Sequence, residues 1–115
     1  MHAKRILLVE DEREVANMLG IALRSEGYEV VIADTALRAR LSLGSDGYDL
    51  VIADYRLPDG DGIDIADEAA GSGIKTLVVS AYLFQAPASR LEKHELLMKP
   101  ARPQEIIDAV RGLVG

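Results

Sequence analysis

The chain has 115 residues, of which 49% are hydrophobic, enough for one domain of ordinary size with a real core, which argues against disorder. Its formal net charge is −6, with the basic residues scattered rather than striped, which argues against non-specific binding of DNA or RNA. It has no cysteine, which removes disulfides, thiolate zinc sites and cysteine nucleophiles.

The chain begins Met1-His2-Ala3-Lys4-Arg5 and then runs into Ile6-Leu7-Leu8-Val9, an apolar stretch too short for a signal sequence or a membrane span. A soluble, cytoplasmic protein without membrane insertion is expected. Val15, Met18, Leu19, Ala22 and Leu23 recur at helical spacing, so residues 12–26 read as an amphipathic helix ended by Gly27. Val30-Val31-Ile32-Ala33 reads as a second strand. Asp34 or Thr35 can cap a second helix, in which Leu37 and Leu41 are expected to face inward, with Gly44 and Gly47 closing it. Leu50-Val51-Ile52-Ala53 is a third strand, and Pro58-Asp59-Gly60 a turn. A third helix runs through Ile65, Ala66, Ala69 and Ala70 to Gly71-Ser72-Gly73. After Leu77-Val78-Val79, the stretch 82–94 is ambiguous because Pro87 permits only a short helix starting near it. Leu96-Leu97-Met98 is the fifth run, and a last helix opens near Pro103 with Ile106, Ile107, Val110 and Leu113 on one face.

Strand-like runs alternating five times with helical patterns signify repeated βα units. Short, continuously apolar runs read as buried strands of a parallel sheet. Glu10 and Asp11, Asp54, Ser80 and Lys99-Pro100 each sit at or just beyond the end of such a run. Acids, a hydroxyl and an amine therefore gather at the carboxyl edge, where open α/β sheets bind ligands. Clustered acids suit a hard cation, and the lysine beside them suggests that an anion arrives as well.

These residues resemble the receiver domains of bacterial two-component response regulators. The resemblance covers essentially the whole chain and rests on Leu8-Val9-Glu10-Asp11-Glu12, Asp54-Tyr55-Arg56-Leu57-Pro58-Asp59-Gly60, Val79-Ser80-Ala81-Tyr82 and Met98-Lys99-Pro100, in that order. It implies an α/β, doubly wound, flavodoxin-like fold: five parallel strands in the order 2-1-3-4-5, with two helices on one face and three on the other. It also implies one receiver domain over 1–115, with no effector domain in the chain.

The resemblance makes Asp54 the phosphoacceptor, a competent nucleophile once the incoming charge is neutralised. Asp11 would bind Mg²⁺ directly, with Glu10 beside it through water, Asp54 contributing, and the backbone carbonyl of Arg56 a further ligand. Lys99 would pair with a phosphoryl oxygen, aimed by a Lys-Pro bond that is commonly cis in the family. Ser80 would donate its hydroxyl to the phosphoryl group. The donor would be a sensor histidine kinase or a histidine phosphotransfer protein. Output would be a protein contact through residues 82–97 and the last helix, with self-association as a homodimer a further use of that face. Such a chain supports its own phosphotransfer and slow dephosphorylation and is not a conventional enzyme.

Other readings fit less well. Asp59-Gly60-Asp61-Gly62 resembles the start of a calcium loop, but Ile63, Asp64 and Ala70 occupy positions that such a loop needs for other residues. A flavin site wants a Gly/Ser/Thr-rich loop where Glu10-Asp11-Glu12 stands, and a haloacid-dehalogenase-like phosphatase wants its two aspartates after one strand. His2 and His94 lack metal-ligand spacing and are expected to be exposed. The chain departs from the family at Leu96, where an aromatic is usual, and at Glu92-Lys93-His94, where a small Gly-Ala pair is usual. Those departures keep a second reading open, a receiver-like adaptor that needs no phosphate. Tyr82 and Phe84 are candidates to replace the missing aromatic, against a plainer role in packing.

Overall fold

The computed structural model describes residues 2–45 and 47–115. Five parallel strands form one sheet: β1 (Arg5–Val9), β2 (Glu29–Ala33), β3 (Leu50–Ala53), β4 (Lys75–Ser80) and β5 (Glu95–Met98), in the order 2-1-3-4-5. The helices are α1 (Arg13–Ser25), α2 (Ala36–Ser45), α3 (Gly62–Gly71), α4 (Ala88–Leu91) and α5 (Pro103–Val114), with a 3₁₀ turn at Leu83–Gln85. A two-residue ribbon, Arg56–Leu57 against Gly60–Asp61, was not anticipated. Among the described residues no helix is long and apolar enough to cross a membrane.

Alternation along the strands divides the core into two layers. Ile6, Leu8, Leu50, Ile52, Leu77 and Val79 pack against Leu19, Leu23, Ile106 and Val110 of α1 and α5. Leu7, Val9, Val51 and Ala53 pack against Ala36, Ala39, Ile65 and Ala69 of α2 and α3. Ile63, Ala66, Val78, Leu83 and Ala86 extend that second layer toward α4. Gly27 and Gly73 take positive φ, 95° and 80°. Each ends its helix by a Schellman pair of bonds: Tyr28 N–H to Leu23 and Gly27 N–H to Arg24, then Ile74 N–H to Ala69 and Gly73 N–H to Ala70.

Several side chains face differently from expectation. In α2 the buried residues are Ala36 and Ala39, while Leu37 and Leu41 are exposed. The helix lies close to its neighbours, with Ala36 Cβ 3.5 Å from where a Cβ on Gly60 would lie, so small residues take the inward stripe. In α1 the inward face turns toward Ala16 and Gly20, and Met18 is half exposed. A Cβ on Gly20 would lie 3.3 Å from Ile32. The fifth apolar run is not a buried strand: β5 is an edge strand, and Leu96 and Met98 are exposed.

His94 is buried rather than exposed. Its Nδ1 lies 2.6 Å from Thr76 Oγ1 and its Nε2 2.7 Å from Asp67 Oδ1, so both ring nitrogens are satisfied. Burial pushes the Asp67 carboxyl up, but hydrogen bonds from His94 and Arg90 outweigh it and hold Asp67 below the usual carboxylate range. Helix α4 starts directly after Pro87, its N-cap, as expected, and runs for four residues.

Candidate functional site

The parallel ladder continues one residue beyond the strands and carries the acids with it. Glu10 N–H donates to Ala33 O and Asp54 N–H to Val9 O, each at 3.0 Å. Ser80 is the last residue of β4, and its carbonyl accepts the N–H of Lys99 at 3.2 Å. The Lys99–Pro100 bond is cis. Three adjacent strands and the end of the fifth thus deliver their polar residues to the carboxyl edge.

Lys99 is the centre of the cluster. Its Nζ donates to Glu10 Oε1 at 2.7 Å and to Asp54 Oδ2 at 2.8 Å. The remaining oxygens accept backbone donors at 3.3 Å, Glu10 Oε2 from Glu12 and Asp54 Oδ1 from Arg56. Burial raises the Glu10 carboxyl above its ordinary value, and the Lys99 hydrogen bond only partly offsets this. Burial alone would lower Lys99, but its hydrogen bonds to Asp54 and Glu10 prevail and raise it.

One carboxylate oxygen from each of Glu10, Asp11 and Asp54 lies within 4.8 Å of the others. Asp11 is exposed and keeps its carboxylate available. This hard-oxygen set, open to water on the Asp11 side, fits a small divalent cation that retains several waters. Ser80 is fully buried, and its Oγ accepts the N–H of Tyr82 at 3.2 Å rather than touching the acids. Arg56 is placed by its N–H to Asp54, and its guanidinium stacks 4.3 Å over the Tyr82 ring.

Two supports of the site escaped the sequence reading. A Cβ on Gly62 would fall 1.6 Å from the backbone oxygen of Asp54, so only glycine fits, and its N–H donates to Tyr55 O at 2.7 Å. The visible signal was Asp61-Gly62, considered only as part of a calcium loop. Asp59 caps α2 from a distance: its carboxylate accepts the N–H of Ala36 at 2.7 Å and of Leu37 at 3.0 Å. Those two bonds lower its pKa.

Residues 6–111 match the model of the response regulator receiver domain, and the chain belongs to that family. It is 32% identical over 112 residues to the DNA-binding response regulator MtrA of Mycolicibacterium paratuberculosis, covering 94% of this chain and 50% of that protein. It is 40% identical over 77 residues to the KDP operon transcriptional regulatory protein KdpE of Escherichia coli, covering 66% of this chain and 34% of that protein. The chain spans about half the length, or less, of the curated relatives it matches. Among solved structures, the response regulator TrrA of Thermotoga maritima, in complex with Mg²⁺ and BeF, superposes with a TM-score of 0.87 at 30% identity, covering 96% of this chain and 98% of that one. A CheY-like receiver domain protein of Methanospirillum hungatei gives 0.86 at 28% identity, covering 96% and 93%.

Proposed function

We propose that this receiver is a phosphorylation switch in which Asp54 accepts a phosphoryl group from a phosphohistidine on a sensor kinase or phosphotransfer protein. The carrying observation is the placement of Asp54 at the carboxyl edge, with Lys99 Nζ at 2.8 Å and the Glu10, Asp11 and Asp54 oxygens clustered beside it. An Asp54 carboxylate oxygen attacks phosphorus, the P–N bond of the phosphohistidine breaks, and the imidazole leaves with a proton from solvent. The product is an aspartyl phosphate. Lys99 shifts its ammonium from Asp54 to a phosphoryl oxygen and keeps its hydrogen bond to Glu10, so it stays paired and charged. Ser80 exchanges its bond to the Tyr82 N–H for one to the phosphoryl group. Asp11, Asp54 and the backbone carbonyl of Arg56, with Glu10 beside them, would hold Mg²⁺, which would supply the positive charge that the arriving oxygens require.

The chain contributes a nucleophile and a field rather than turnover on a substrate, and as a receiver domain it acts in the cytoplasm. Its output is a protein contact through 82–97 and α5. Tyr82, Phe84 and Leu96 are exposed within 82–97, apolar side chains suited to a partner or a second copy. Leu96 in place of an aromatic, and an α4 with no buried residue, favour the second reading of a phosphate-independent adaptor. Incubation with a phosphorylated histidine donor and Mg²⁺ separates the two. The wild type acquires acid-labile phosphate and Asp54→Asn, still folded, acquires none. Equal labelling of both proteins overturns the assignment of Asp54, and no labelling of either supports the adaptor.

A further inference from the structure

The segment between β4 and β5 is held at Leu83 and Ala86 by apolar packing and elsewhere by charge. Helix α4 buries none of its own residues, and four residues cannot persist as a helix on their own hydrogen bonds. Its anchor is Arg90, whose guanidinium reaches three aspartates of the α3 region: Asp61 at 2.9 Å, Asp64 at 2.6 Å and Asp67 at 3.2 Å. At the other end of the segment, the Arg56 guanidinium stacks on Tyr82 and donates to Gln85 Oε1. These ties are partly exposed, so each is weak. A segment held by several weak ties belongs to the easily displaced part of a fold.

Both anchors lead back to the same two residues. Arg56 and Asp61 face one another in the two-residue ribbon that follows Asp54. The N–H of Arg56 donates to Asp54 Oδ1, and the Asp61 carboxylate accepts both Arg90 and the N–H of Ile63 at the start of α3. One ribbon therefore touches the Asp54 carboxylate on one side and both ends of the 82–90 segment on the other.

We propose that the Arg56–Asp61 ribbon couples the state of the Asp54 carboxylate to the 82–90 segment, by a route that does not pass through position 96. A change in what Asp54 Oδ1 accepts alters the hold on the Arg56 backbone. That shift is delivered directly to Tyr82 and Gln85, and through Asp61 to Arg90. Arg56 is in this sense a positioning residue. Only the physiological input, phosphate on Asp54, rests on the function proposed above; the mechanical link does not.

Coupling is reciprocal, so cutting the segment's ties must be felt at the carboxylate. The double variant Gln85→Ala/Arg90→Gln removes the Gln85 bond and the Arg90 clamp, leaves the Arg56–Tyr82 stack, and alters no group of the acidic site. In metal-free protein its Tyr55 and Arg56 amide NMR signals shift, while those of β1 and β2 stay in place. Its Mg²⁺ Kd, followed by the same signals, changes by about fivefold or more. The single variant Gln85→Ala, which keeps the α3 clamp, gives the same pattern at smaller amplitude and stands in if the double variant does not fold. If hydrogen exchange in 83–91 accelerates while the Tyr55 and Arg56 signals and the Mg²⁺ Kd stay at wild-type values, the ties are only structural and the coupling is refuted. Failure of Asp54 to take phosphate would leave the metal-free shifts unaffected, so the two ideas fail separately.

Discussion

Replacing Lys99 by methionine keeps the length of the side chain and removes the ammonium that neutralises Glu10 and Asp54. The Glu10 side chain is 4% exposed, Asp54 11% and Lys99 21%. Loss of one partner from a buried ion pair typically costs about 3–5 kcal/mol, and the partial exposure of Lys99 places this case near the lower end, at about 3 kcal/mol. The loss depends on pH in a definite direction. Burial already raises Glu10 above its ordinary value, and without Lys99 it rises further. The folded variant then holds a proton that the unfolded chain has released. Glu10's contribution is fully present below the ordinary carboxyl pKa and is lost as pH rises through the raised folded value. The penalty of Lys99→Met should therefore grow from pH 5 to pH 7.5, by up to about 1.4 kcal/mol per unit for one proton. Lys99 itself is raised in the wild type, so its stabilising contribution persists through neutral pH and fades only above its ordinary value of 10.5. Urea unfolding of both proteins at pH 5 and pH 7.5, read by circular dichroism, measures the difference. A penalty under about 1 kcal/mol, or one equal at the two pH values, would refute the view that Lys99 neutralises a buried carboxylate.

Three further outcomes are expected. Mg²⁺ at ten times its Kd should stabilise the wild type by about 1.4 kcal/mol through mass action, and Asp11→Ala should lose most of that gain; equal thermal shifts in both proteins would count against Asp11 as a ligand. Gly62→Ala places a methyl against the Asp54 carbonyl, where neither backbone can yield easily. It should destabilise by about 3 kcal/mol, the upper end for overpacking, and shift the Asp54 amide signal, whereas Gly71→Ala, with open space at its Cβ, should do neither. The Arg56 guanidinium stacks 4.3 Å over the Tyr82 ring, and these two bulky side chains are expected to shield an aspartyl phosphate at Asp54 from water. Arg56→Asn with Tyr82→Glu should shorten the phosphoryl lifetime, and an unchanged decay rate argues against shielding.

Periodicity and strand-end chemistry carried the reading of the fold a long way. Five apolar runs separated by helical patterns admit few arrangements other than a parallel sheet flanked by helices, because short crossover connections force both faces to be covered. Polar residues at the ends of those runs land at one edge for the same reason, and Glu10, Asp11, Asp54 and Lys99 lie together there. Gly27, Gly73, Pro87 and Pro103 acted locally, through φ or a missing N–H, and local effects are legible in a string.

What the string could not decide was which of two regular stripes faces inward, and which distant partner meets a charge. In α2, Leu37 and Leu41 repeat as regularly as Ala36 and Ala39, and only the close approach of that helix to its neighbours selects the alanines. His94 has an unremarkable sequence context, yet it is buried because Thr76 and Asp67, 18 and 27 residues away, satisfy both ring nitrogens. Arg90 meets Asp61, and Asp59 meets the start of α2, only once α3 and the ribbon are in place. Leu96 and Met98 end exposed because β5 is the edge of the sheet and α4 is too short to cover it. Local conformation and the order of apolar and polar residues were thus written along the chain, whereas the facing of each surface and the pairing of each charge depend on contacts between residues far apart in it.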